Sequence, residues 1–127
     1  MTVPTWMNAV VEDFGRAAGA KGFSLNASGS AAIKFANGAA LRFEYTGEEL
    51  VVAMTSRPVA EASKIRRVLA LANPRASRGL RVRAGIISKT GAMVLAVRLP
   101  ERDVTLPVIN SIFSMLWRAV EEIGGVS

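Results

Sequence analysis

From about Pro4 to Ala20 the apolar residues return every three or four positions. Trp6, Val10, Phe14 and Ala17 or Ala18 recur, with Met7 and Val11 beside them, while Asn8, Glu12, Asp13 and Arg16 face away. That spacing predicts an amphipathic helix, entered at Pro4 and ended near Gly22. The period then falls to two. Ala31, Ile33 and Phe35 alternate with Ala32, Lys34 and Ala36; after Asn37-Gly38, Leu41, Phe43 and Tyr45 alternate with Arg42 and Glu44. Two alternating runs about an Asn-Gly pair predict a hairpin, with a type I′ turn as the expected closure. Gly47-Glu48-Glu49 makes a further turn, and Leu50 to Thr55 reads as a third strand. The three form an antiparallel meander with one apolar face.

Arg57-Pro58 is expected to break that strand. A middle helix follows from about Val59 to Ala72, with Ala62, Ile65, Val68, Leu69 and Ala72 on its apolar side; Asn73-Pro74 ends it. A second hairpin pairs Val82, Ala84 and Ile86 with Met93, Leu95, Val97 and Leu99 through a Lys89-Thr90-Gly91 turn. Thr105 is the natural N-cap of a last helix, with Pro107 in its first turn and an apolar stripe from Val108 to Ile123. The stripe is wider than one sheet face needs, so part of it is expected to meet a second chain or a ligand. The order α-β-β-β-α-β-β-α defines an α+β fold, an antiparallel sheet packed against helices, read as one domain over residues 1–127.

Composition narrows the function. The chain of 127 residues is 50% hydrophobic and 20% charged, a globular balance. It contains no cysteine and no histidine, which removes thiol chemistry, the zinc-thiolate site and the commonest general base and metal ligand. Lys89-Thr90-Gly91 matches one element of the serine β-lactamase signature, but Ser-x-x-Lys and Ser-Asp-Asn are missing, so it reads as a turn. No phosphate-binding or dinucleotide-binding glycine motif is present, and no cofactor is expected. The acidic pairs Glu12/Asp13, Glu48/Glu49 and Glu121/Glu122 are sequence neighbours, which diverge on a helix or strand. An enzyme is not expected. Neither a secretory leader nor a membrane span is visible, so the expected location is the cytoplasm.

The net charge of +6 is uneven. Between Arg57 and Arg98 ten basic residues face one acid, Glu61, a local balance of +9 against −3 elsewhere. Arg66, Arg67, Arg78, Arg81, Arg83 and Arg98 are the candidate basic face. Such asymmetry points to a negatively charged partner.

With this order in hand, the chain resembles the class I chaperones of bacterial type III secretion, the Tir-chaperone-like family, from Trp6 to Ile123. The resemblance rests on element order and length, and on Val68-Leu69-Ala70-Leu71-Ala72-Asn73 at the end of the middle helix. Gly79-Leu80 before the fourth strand and the aromatic last helix with Trp117 add to it. It implies a non-enzymatic cytoplasmic dimer that binds the N-terminal segment of a secreted effector or translocator and keeps it competent for secretion. Dimerisation through the middle helix and the following strand, carried onto this sequence, implies Ile65, Val68, Leu69, Val82, Ala84 and Ile86. For client contact the implied candidates are Phe14, Leu41, Phe43, Val52 and Met54. The basic balance departs from the family's usual acidity and implies an acidic partner protein, or a related chaperone subunit in a heterodimer. The alternative is a nucleic-acid-binding domain that uses the Arg-rich 57–98 segment. Against it, no aromatic residue lies between Arg57 and Arg98 to stack on a base.

Overall fold

The computed structural model describes residues 2–36, 38–58, 82–87 and 90–123. Helix α1 spans Thr5–Ala17, followed by strands β1 (Ser30–Lys34), β2 (Ala40–Tyr45) and β3 (Glu49–Pro58). Strands β4 (Val82–Ile87) and β5 (Ala92–Pro100), a 3₁₀ turn (Glu101–Asp103) and helix α2 (Leu106–Ile123) complete the described elements. The strands form one antiparallel sheet in the order β1-β2-β3-β5-β4. Every described element matches the sequence-derived order. The middle helix expected over Val59–Ala72 lies outside the described residues.

The two-residue alternation decides which face is covered. Leu41, Phe43, Leu50, Val52, Met54, Leu95 and Val97 point to one side and are almost fully buried. Helix α2 packs there against β3 and α1, contributing Ile109, Ile112 and Leu116 to the same core. On the opposite face Val51, Ala53, Thr55, Val94 and Ala96 are half-buried, and Arg42, Glu44, Arg83 and Arg98 are exposed.

Three sequence expectations are corrected. The first hairpin does not close through a two-residue type I′ turn. Phe35 N–H donates to the Ala39 carbonyl at 2.8 Å and Gly38 N–H to the Phe35 carbonyl at 3.0 Å, which leaves a three-residue loop with Gly38 at φ 89°. Parity is the reason. Ile33 pairs with Leu41 and Ala31 with Phe43, so all four share the core face. A loop shorter by one residue would set Ile33 against Arg42 and split the apolar set between faces. Second, β3 runs beyond the expected Leu50–Thr55 and ends at Pro58, which pairs with Ala92 across a register shift after Thr55. Ser56 serves that irregularity: its buried hydroxyl accepts the Met93 N–H at 3.0 Å. Third, the buried line of α1 is Met7, Val11, Phe14 and Gly15, whereas Trp6 is 46% exposed.

The helix ends follow elementary rules. Thr105 caps α2, its Oγ1 accepting the Val108 N–H at 3.3 Å, as the sequence predicts. At α1, the Asn8 side chain accepts the Leu25 N–H at 2.9 Å and so anchors the connection that leads into β1.

Candidate functional site

The edge of β1, free among the described residues, is the candidate site, and its geometry follows from the hairpin. Phe35 N–H bonds Ala39, and Tyr45 N–H bonds the Gly29 carbonyl at 2.8 Å. The alternation of an antiparallel ladder therefore turns the backbone groups of Ala31 and Ile33 towards β2, and those of Ser30, Ala32 and Lys34 outward. Ser30 is already occupied: its carbonyl accepts the Asn26 N–H at 2.9 Å, and its N–H donates to the Asn26 side chain at 3.0 Å. That closes one end of the edge. Among the described residues no hydrogen bond takes up the outward N–H or C=O of Ala32 or Lys34. An edge with unpaired backbone groups is a template for another strand.

One shallow depression borders this edge, and a second adjoins the first through residues 20–24. The first, of about 300 Å³, is lined by residues 20–24 together with Ala31, Ala32 and Ile33. The other, of about 320 Å³, is lined by Glu12, Arg16 and residues 20–24. Lys21 lines both and is exposed, as is Lys34 on the strand itself. On the helix side the edge continues into an aromatic cluster. Phe35 stands edge-on to Trp117 with ring centroids 4.9 Å apart, and Trp117 stacks on Phe113 at 5.8 Å. Phe113 meets Phe14 at 5.4 Å, and Phe14 meets Phe43 at 5.3 Å. With the Phe23–Phe43 contact, all five phenylalanines of the chain join one network that runs from the core to half-buried Phe35, Phe113 and Trp117. The Trp117 indole N–H donates to Glu121 Oε1, which fixes the ring at the surface.

The sequence-derived site residues divide sharply. Phe14 is 2% exposed and Leu41, Phe43, Val52 and Met54 are 0% exposed, so the five expected client contacts are core residues instead. Periodicity identifies them as sharing an apolar face, but α1 and α2 cover that face. Of the expected dimer residues, Val82 is buried, Ala84 half-buried and Ile86 52% exposed, beside Ile87 at 39%; Ile65, Val68 and Leu69 lie outside the described residues. Of the basic face, Arg66, Arg67, Arg78 and Arg81 also lie outside. Arg83 and Arg98 share the half-buried sheet face as diagonal neighbours, Arg83 opposite Ala96 and Arg98 two residues further along β5. Arg98 pairs with Glu49 at 3.1 Å.

Sequence reasoning missed the β1 edge, Lys21, Lys34 and the Phe35–Trp117 contact. The hairpin parity carried the first of these, since it fixes which backbone groups of β1 face outward. Among the described residues no three His, Cys, Asp or Glu side chains gather as a metal site, and no helix is long and apolar enough to cross a membrane.

A family model described as type III secretory system chaperone SycN matches residues 6–124. Among solved structures, the ExsC–ExsE complex contains a chain similar to this one at TM-score 0.75 and 17% identity, with 100% of each chain covered. The HopA1–SchA chaperone–effector complex gives TM-score 0.69 at 18% identity, covering 97% of this chain and 98% of that one. The Yersinia pestis type III secretion chaperone SycH, solved with a stable fragment of YscM2, gives 0.67 at 15%, covering 92% and 98%. A sequence comparison with curated proteins gives no match. At these identities the structural likeness is one of fold.

Proposed function

The chain belongs to the SycN family of type III secretory system chaperones, and from that membership we propose that it holds the N-terminal segment of a secreted effector or translocator at the free edge of β1. It acts without catalysis, in the cytoplasm, as a dimer. The observation that carries the placement is the pair of backbone positions, Ala32 and Lys34, unpaired among the described residues and beside a shallow depression. An extended client adds a strand there through main-chain hydrogen bonds and sets alternate side chains against Ile33 and the Phe35–Trp117 aromatics. A similar fold solved in the HopA1–SchA chaperone–effector complex supports a protein client. The exposed Ile86 and Ile87 on β4, the opposite edge of the sheet, give the dimer its surface, with Val82 and Ala84 on the same strand.

The test is hydrogen exchange of the purified protein mixed with the N-terminal segment of the secreted protein encoded beside it. Slowed exchange at the amides of Ala32 and Lys34 is the expected result. Ala32→Pro should abolish it, because proline removes the outward donor while the bonds of Ala31 and Ile33 to β2 stay in place. Binding with unchanged exchange at both amides would move the client elsewhere.

A further inference from the structure

We infer that the segment taken up at the β1 edge alternates acidic and apolar side chains, with carboxylates on the Lys34 side and apolar groups beside Ile33. The inference rests on the proposed role of this edge and specifies the chemistry of its client. Ala32 and Lys34 project to the half-buried sheet face, since they pair with Arg42 and Ala40, whereas Ile33 pairs with core-facing Leu41. A strand added beyond β1 obeys the same alternation, so every second side chain of the client lies on the Lys34 side. The others lie at the depression formed with residues 20–24.

The charges facing that edge are mostly cationic and uncommitted. Lys34 is exposed on the strand, Lys21 is exposed at the rim of both depressions, and neither has an ion pair among the described residues. The nearby carboxylates are largely engaged: Asp13 pairs with Arg16, and Glu44 lies 4.0 Å from Arg42. Glu12, on the α1 side of the second depression, is the one facing acid without an ion pair among the described residues. Opposite charges across paired strands attract and like charges repel, so Lys34 favours a carboxylate opposite and disfavours a lysine. These two lysines lie outside the basic 57–98 segment, so the acidic preference belongs to the client edge itself.

The experiment measures fluorescence anisotropy with three peptides of equal length, alternating Val/Glu, Val/Gln and Val/Lys, at about 0.05 M and about 0.5 M salt. The Val/Glu peptide should bind about 5-fold tighter than Val/Gln at low salt, with Val/Lys weakest. High salt should erase the difference, because these charges are exposed and screened. Lys34→Gln should shrink the preference for Val/Glu over Val/Gln at low salt. Equal binding of Val/Glu and Val/Gln at low salt overturns the acidic specificity and leaves the edge site standing. Loss of binding for all three peptides overturns both. An oligo-dT strand that displaces Val/Glu as well as unlabelled Val/Glu does would reduce the edge to a general anion surface, which also overturns the inference.

Discussion

Tyr45 and Glu101 are 56 residues apart in sequence, yet the Tyr45 hydroxyl donates to Glu101 Oε1 at 2.6 Å. The bond ties the end of β2 to the 3₁₀ turn that follows β5. The same hydroxyl lies 3.1 Å from the Gly47 carbonyl, and the Glu101 N–H donates to the Glu48 carbonyl at 3.1 Å. The β2–β3 turn is therefore fastened to the connection that launches α2.

This contact predicts a pH dependence. The Glu101 carboxylate beside the hydroxyl raises the Tyr45 pKa above its ordinary value of 10.0, through the hydrogen bond first, then burial and charge. A phenol whose folded pKa is raised contributes stability that is fully present below the unfolded value and is lost as pH rises through the folded one. Tyr45→Phe should lower the thermal midpoint at neutral pH, and the gap to the parent should close in strong alkali. A gap unchanged by pH, followed by circular dichroism, would assign the loss to packing instead.

Gly15 sits where α1 crosses the chain entering β1. A Cβ placed on it would lie 2.6 Å from the Phe23 Cβ, closer than real atoms approach. Gly15→Ala should destabilise the fold by about 1–3 kcal/mol in urea denaturation, since the helix or the Phe23 segment must shift. An Ala variant as stable as the parent would show that this crossing yields.

The five residues first assigned to a client make a clear case. Phe43 is fully buried and contacts both Phe14 and Phe23. Phe43→Ala should cost about 3–5 kcal/mol of folding stability. If Phe43 lined an open groove, truncation would weaken client binding with little change in the unfolding midpoint, so the two measurements separate the roles.

Ile86 offers the opposite expectation. At 52% exposure it contributes little to the protomer core. Ile86→Lys should leave the protomer's unfolding nearly unchanged and convert a dimer to a monomer in size-exclusion light scattering. An unchanged mass would remove β4 from the dimer surface.

Gly38 tests the loop. Its φ of 89° lies in the left-handed region, which costs an L side chain about 1–2 kcal/mol. Gly38→Ala should lower stability by that amount and leave affinity for a client at the edge unchanged.

The sequence by itself determined the element order, the cap at Thr105 and the membership of each strand face, because periods of 3.6 and 2 are written in the positions of apolar residues. The Asn37-Gly38 pair misjudges the length of the first loop, because the local turn signal takes no account of the face that Ile33 and Leu41 share. A periodic pattern reports which side chains lie together, however, and not what covers them. Only the tertiary structure decided that α1 and α2 close over Leu41, Phe43, Val52 and Met54 while Trp6 and Ile86 stay open. It alone joined Phe35 to Trp117 and Tyr45 to Glu101, contacts between residues far apart along the chain. Asn26 blocks the outward groups of Ser30 but leaves those of Ala32 and Lys34 free, and that too depends on a turn folding back on its own strand. Burial and edge pairing depend on which elements meet in space, and no local pattern of residues encodes that.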